Sequence, residues 1–232
     1  MEGWWLDERA HAGEEHLDAA YVASYDRKAN YDPAGDVAAL QRHGLDANSS
    51  VVDLGAGTGT FTTAVASVCR HVLAVDVSPV MVAAIRARVH ADGLDNASVE
   101  HSGFLSYEHA GEPVDFVFTR NALHHLPDFW KAIALDRIRA ILRPGGILHV
   151  RDLVFDFEPA EAADRIRTWM AGAVADPALG YTASEFATHV REEDSTYSWL
   201  FEVMLARAGF EILERDIRGS VYATYTCRQA PR

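Results

Sequence analysis

A chain of 232 residues, 49% apolar and 24% charged, is long enough to bury its own core and too hydrophobic for disorder. Its 34 acidic and 21 basic side chains give a net charge of -13, which repels a phosphate backbone and argues against a nucleic-acid partner. Cys69 and Cys227 form neither a disulfide framework nor a zinc spacing, and no signal peptide or membrane-spanning run is visible, so a cytoplasmic protein is expected.

Short β-rich runs alternate with helical patterns along the chain, which predicts one α/β domain over residues 1–232. Residues 15–30 read as an amphipathic helix stopped at Asp32-Pro33, and 34–43 as a second helix, so residues 1–45 form an expected helical lid. SSVVDLG (49–55) is a strand buried on both faces, and Phe61, Val65 and Val68 then repeat at helical spacing. HVLAVDVS (71–78) is a second buried strand. Ser78 and Pro79 suit the cap and first position of the next helix, whose buried face carries Met81, Ile85 and Val89. Strands are expected at 97–101 and 114–119. A helix over 129–142 packs Phe129 and Trp130 and ends at the RPGG turn (143–146), before a fifth strand at 147–155. From 156 to 198 the patterns are helical and no strand is expected, which reads as an inserted helical cap. A helix ending at Gly209 leads to strands at 210–217 and 221–227, an antiparallel hairpin joined at Arg218-Gly219.

The sharpest signal is Asp53-Leu54-Gly55-Ala56-Gly57-Thr58-Gly59 between a buried strand and a helix. Glycines there let the backbone approach a ligand, and the helix N-terminus favours a negative group. Asp76, at the carboxyl end of the second strand, stands where such folds bind ribose hydroxyls. A carboxylate at Asp53, two residues before the first glycine, suits a ligand carrying an ammonium group.

Through VVDLGAGTG (51–59), VDVS (75–78), SGF (102–104), DFVFTRNALHHLPD (115–128) and LRPGGIL (142–148), the chain resembles the class I S-adenosylmethionine-dependent methyltransferases over residues 15–227. It is most similar to the small-molecule branch that includes the quinone-biosynthesis methyltransferases, whose fourth motif also ends in a His-His pair. The resemblance implies a Rossmann-like seven-stranded sheet in the order 3-2-1-4-5-7-6, mostly parallel, with the last strand antiparallel. It implies S-adenosylmethionine as cofactor and S-adenosylhomocysteine as product. Gly55 and Gly57 would line the methionine moiety near Asp53, Asp76 would hold the ribose, and Val77 and Met81 would pack on the adenine. Gly103 and Phe104 would border the adenine, although many relatives carry an acid where Gly103 stands. Asn121 would meet the methionine amino group. Tyr25-Asp26-Arg27-Lys28-Ala29-Asn30-Tyr31-Asp32 matches a lid pattern, which gives Lys28 or Tyr31 the methionine carboxylate.

His124 and His125 follow the fourth strand, where an imidazole can remove a proton from an acceptor at neutral pH. Both residue types also serve structure in this motif, and many such enzymes act by proximity alone. Arg120 either pairs with an acid of the cap or meets an anionic substrate. Trp4, Trp5, Trp169, Tyr181, Tyr197 and Trp199 would suit an apolar, aromatic acceptor, methylated on oxygen, nitrogen or carbon. The fourth motif lacks the Pro-Pro-aromatic segment of base-modifying enzymes, neither cysteine is placed for covalent catalysis, and too few carboxylates follow the fourth strand for a metal. An NAD-dependent oxidoreductase is a rival, supported by GxGxG and Asp76 but lacking a third small residue in register, since position 60 is Thr. A cofactor-binding protein of the same fold without activity is a third reading.

Overall fold

The valine-rich runs that read as buried strands lie at the centre of the sheet. In the computed structural model, which describes residues 3–230, the chain folds as α1 (Ala19–Ala29), α2 (Ala34–Arg42), β1 (Ser50–Leu54), α3 (Thr60–Ala66), β2 (His71–Asp76), α4 (Pro79–Ala91), β3 (Ala97–His101) and β4 (Val114–Arg120). There follow α5 (Asp128–Ile141), β5 (Leu142–Phe155), α6 (Ala162–Ala171), α7 (Ala183–Glu192), β6 (Thr196–Tyr197), α8 (Ser198–Arg207), β7 (Phe210–Arg218) and β8 (Tyr222–Gln229). Residues 1, 2, 231 and 232, the ends of the expected domain and lid, lie outside the described residues.

The strand order is β3-β2-β1-β4-β5-β8-β7, with β6 paired to β5 off that path. Every pairing is parallel except those of β8, which runs antiparallel to both β5 and β7. This is the Rossmann-like order expected, with one correction: the sheet has eight strands rather than seven. The added strand, β6, is two residues long and lies inside the region expected to be wholly helical. Two residues show no alternation, so no sequence pattern announces it.

Local chemistry explains the helix boundaries near the site. Ser78 caps α4 by accepting from the Met81 N–H at 3.2 Å, with Pro79 at the first position. Asp18 caps α1 through the Tyr21 N–H at 2.9 Å. Gly209, at φ +87°, follows the last turn of α8 in the left-handed region that favours glycine. The expected RPGG turn is instead absorbed into β5, where Leu142 already pairs with Val114 and a bulge takes up the extra residues before Phe116 meets Ile147. Phe129 is a second correction. It is 64% exposed, and only Trp130 turns inward, against Trp4 and Trp5.

Two apolar cores flank the sheet. One joins Leu135, Leu148, Phe201, Leu205 and Tyr225 beneath α5 and α8. The other joins Leu40, Phe61, Val65 and Phe118, with the Phe61 and Phe118 rings stacked 3.6 Å apart. Packing on both faces fixes the strands so that the carboxyl ends of β1, β2 and β4 open at one edge, under α1 and the helices that follow β5.

Candidate active site

The β1–α3 turn is shaped by sterics. Gly55 has φ +70°, and a Cβ there would stand 2.4 Å from the Ala122 Cβ, so no other residue fits. Gly57, at φ +57°, has open space on its Cβ side and borders the cleft. Its N–H donates to Asp76 Oδ2 at 2.8 Å, while Ser78 N–H donates to Asp76 Oδ1 at 2.8 Å. Each oxygen of Asp76 keeps a lone pair for hydroxyl groups. Burial raises the Asp76 carboxyl, against those two donors. Asp53 is more deeply buried, and burial pushes it up to about 7 despite a 2.5 Å hydrogen bond from Thr62 Oγ1.

Two cavities lie along this edge beside the glycine turn. One, of about 80 Å³, is walled by Asp76, Val77, Met81, Gly103 and Phe104; the other, of about 230 Å³, by Tyr31, Asp53, Gly55 and Arg88. Gly57, Tyr25 and Arg120 border both. A carboxylate does stand beside Gly103, but it comes from the N-terminal segment: Glu8 accepts from Leu105 N at 2.9 Å and Ser106 Oγ at 3.0 Å. A Cβ at Gly103 would sit 2.5 Å from that carboxylate and would push the Glu8 side chain aside. Nothing in the local pattern around Glu8 marks it, because its partners lie almost a hundred positions away.

A third cavity, of about 290 Å³, lies between α1 and α7 and is lined by Tyr21, Tyr181, Trp169, Phe186 and Tyr222. His16, Tyr25, Asn121 and His125 border both this cavity and the smaller one beside the glycine turn. Asn121 holds φ +49° at the end of β4, a conformation asparagine tolerates better than most residues.

The histidine pair divides. His124 is buried, and its two ring nitrogens face two acids: Nδ1 donates to Asp152, and Nε2 lies 3.0 Å from Glu193. A ring that donates on both sides carries a proton on each nitrogen, and the two carboxylates push His124 up to about 9 against its burial. Glu193 also takes His189 Nδ1 at 2.5 Å, and these imidazoles hold it far below the usual carboxylate range although burial opposes them. His125 is the opposite case. Burial first, then the neighbouring His124 and His16 rings, hold it well below the ordinary histidine value, so it is neutral at pH 7. His124, His125 and Glu193 offer ligand atoms within 4.8 Å of one another, but His124 and Glu193 are already spent on ion pairs.

Sequence reasoning brought Asp53, Gly55, Gly57, Asp76, Val77, Met81, Gly103, Phe104, Asn121 and His125 to one edge, and the structure puts them there. Lys28 is displaced. Its ammonium pairs with Glu185 of α7 and lies 5.2 and 5.1 Å from the Tyr21 and Tyr181 rings, away from the glycine turn. Tyr31 borders the larger cavity beside the glycine turn but gives its hydroxyl to Asp36 at 2.6 Å. Among the described residues, no ion pair joins Arg120 to an acid of the cap; it stacks on Tyr31. His189 and Glu193 were missed; they lie four residues apart, with Glu193 in extended backbone just past the end of α7.

Residues 51–146 match the family model described as "Methyltransferase domain". A methyltransferase of uncharacterised role from Geobacillus kaustophilus is 30% identical over 62% of this chain and 69% of its own length. The chain belongs to the class I S-adenosylmethionine-dependent methyltransferases. Within the family, 27-O-demethylrifamycin SV methyltransferase from Amycolatopsis mediterranei is 29% identical over 82% of this chain, which spans 64% of that relative's length. The magnesium protoporphyrin IX methyltransferase of Synechocystis has the same fold, with a TM-score of 0.66 over 99% of this chain and 100% of its own, at 12% identity.

The residues present fit the family's cofactor. A cradle that excludes any Cβ at Gly55, an acid at each strand end and an apolar slot of Val77, Met81 and Phe104 match an amino acid, a ribose and a flat base in turn. Among the described residues, no helix is long and apolar enough to cross a membrane.

Proposed function

We propose that this chain transfers a methyl group from S-adenosylmethionine to a small aromatic acceptor held between α1 and α7, with His125 taking the acceptor's proton. The observation that carries the reading is the position of His125, on the wall shared by the cofactor side and the aromatic cavity. The cofactor supplies a methyl carbon already activated by its sulfonium, so the chain's task is alignment and proton removal.

Tyr21, Trp169, Tyr181, Phe186 and Tyr222 offer flat apolar surface that orients a ring and excludes water. His125 is neutral and therefore able to accept a proton, while His124, already protonated, is a positioning residue that holds the 123–125 turn through Asp152. Glu8 places an acceptor beside the adenine end of the cleft. The rifamycin relative, named for a 27-O-demethyl compound, supports an oxygen acceptor.

The test is transfer of labelled methyl groups from S-adenosylmethionine to a panel of phenols and aromatic amines by the wild type and His125→Asn. We expect kcat to fall about 10²–10⁴-fold in the variant while affinity for S-adenosylhomocysteine is retained. Because a base must be unprotonated and His125 is held low, the wild-type rate should be flat through neutral pH and decline only in acid. An undiminished kcat in His125→Asn would leave alignment alone as the mechanism. Binding of NAD in place of the adenosyl compounds would overturn the reading altogether.

A further inference from the structure

The end of β4 places Arg120 beside Arg151 of β5, its register partner. Arg151 is neutralised, because its Nη1 donates to both oxygens of Asp36, at 3.3 and 3.1 Å. Asp36 also accepts from the Tyr31 hydroxyl and has His149 Nε2 within 3.5 Å, so its capacity is used. Among the described residues, no carboxylate lies within ion-pair distance of Arg120. Its guanidinium carbon stands 3.9 Å from the Tyr31 ring centroid, and its buried Nε has no hydrogen-bond partner.

An uncompensated cation beside another arginine is unfavourable in a partly buried cleft unless an anion arrives. Arg120 borders both cofactor-side cavities, and Asp53 borders the larger of them. Stacking on Tyr31, itself pinned by Asp36, fixes the plane of the guanidinium fork, the geometry suited to a carboxylate. Arg88, the other cation bordering the larger cavity, is paired with Asp26, and Lys28 of α1 is held by Glu185.

We propose that Arg120 is the receptor for the α-carboxylate of the cofactor's methionine moiety, oriented by the chain Asp36–Tyr31–Arg120. Asp53 would then face the ammonium group of the same zwitterion. This rests on the cofactor reading above, and the test separates the two. Calorimetry would compare S-adenosylhomocysteine, its decarboxylated analogue and 5′-methylthioadenosine, which lacks the whole amino-acid portion, on the wild type, Arg120→Gln and Arg120→Lys.

The wild type should prefer S-adenosylhomocysteine over the decarboxylated analogue by roughly 10–100-fold, the range for a hydrogen-bonded charged pair. Arg120→Gln should lose that preference and keep its affinity for methylthioadenosine; Arg120→Lys, with charge but no fork, should fall between. Equal losses for all three ligands in Arg120→Gln would make the residue structural and overturn the proposal. So would a wild type indifferent to the carboxylate, a result that needs no variant to fold. An unchanged affinity of Arg120→Gln for S-adenosylhomocysteine would assign the guanidinium to an acceptor's anion instead. Failure of the wild type to bind any adenosyl compound would instead sink the cofactor reading itself.

Discussion

Asp53 is a carboxylate that burial keeps near half-protonation at neutral pH, with Thr62 as its partner. An ammonium group brought beside it favours the charged form and drives the proton off. Binding of S-adenosylhomocysteine at pH 7 should therefore release a fraction of a proton, read as a dependence of the calorimetric enthalpy on the ionisation heat of the buffer. Asp53→Asn should remove that dependence. A wild-type enthalpy independent of buffer would mean that Asp53 and the ammonium do not meet. His124 and His125 make a related point: neighbours in sequence, they are held on opposite sides of neutrality by what each faces.

The β1–α3 turn works as an element because φ and packing agree at Gly55. Gly55→Ala combines a left-handed alanine with a 2.4 Å approach to Ala122. It should destabilise the protein by about 1–3 kcal/mol and abolish binding of S-adenosylhomocysteine, as thermal melts with and without ligand would reveal. Pairing it with Ala122→Gly should relieve the clash but not the backbone strain, so partial recovery of stability is expected; full recovery would show that φ does not matter. This turn and the Ser78 cap were legible because each is written in contiguous residues with a mechanism, whereas the strand order came from the resemblance to a family. Glu8, Glu193 and the pairing of Lys28 with Glu185 were not, since each acts on a partner brought near only by the fold. Arg120 was singled out as a cation that needs an acid or an anionic substrate, but that Asp36 is consumed by Arg151 needs three-dimensional knowledge.

At the scale of the molecule, the Asp152–His124–Glu193–His189 chain ties β5 and the turn after β4 to the end of α7. His124 has a folded-state value near 9, above the ordinary 6.5 of an unfolded chain. Its contribution to stability is thus complete below about pH 6.5 and is lost as pH rises toward 9. The melting temperature of the wild type should fall by several degrees across that window. His124→Asn, less stable throughout, should show a flatter profile; a wild-type profile that stays level from pH 6.5 to 9 would mean that His124 is not held as a cation.

β8 is wedged between β5 and β7, although β5 leaves the ribosome long before it. Until Tyr222–Gln229 emerges, β5 presents an open edge from Ile147 to Leu153, and every nascent chain passes through that interval. Translation speed across the helices between Phe155 and Tyr222 therefore sets how long that edge is available to a chaperone, or to the same edge of a neighbouring chain on the polysome.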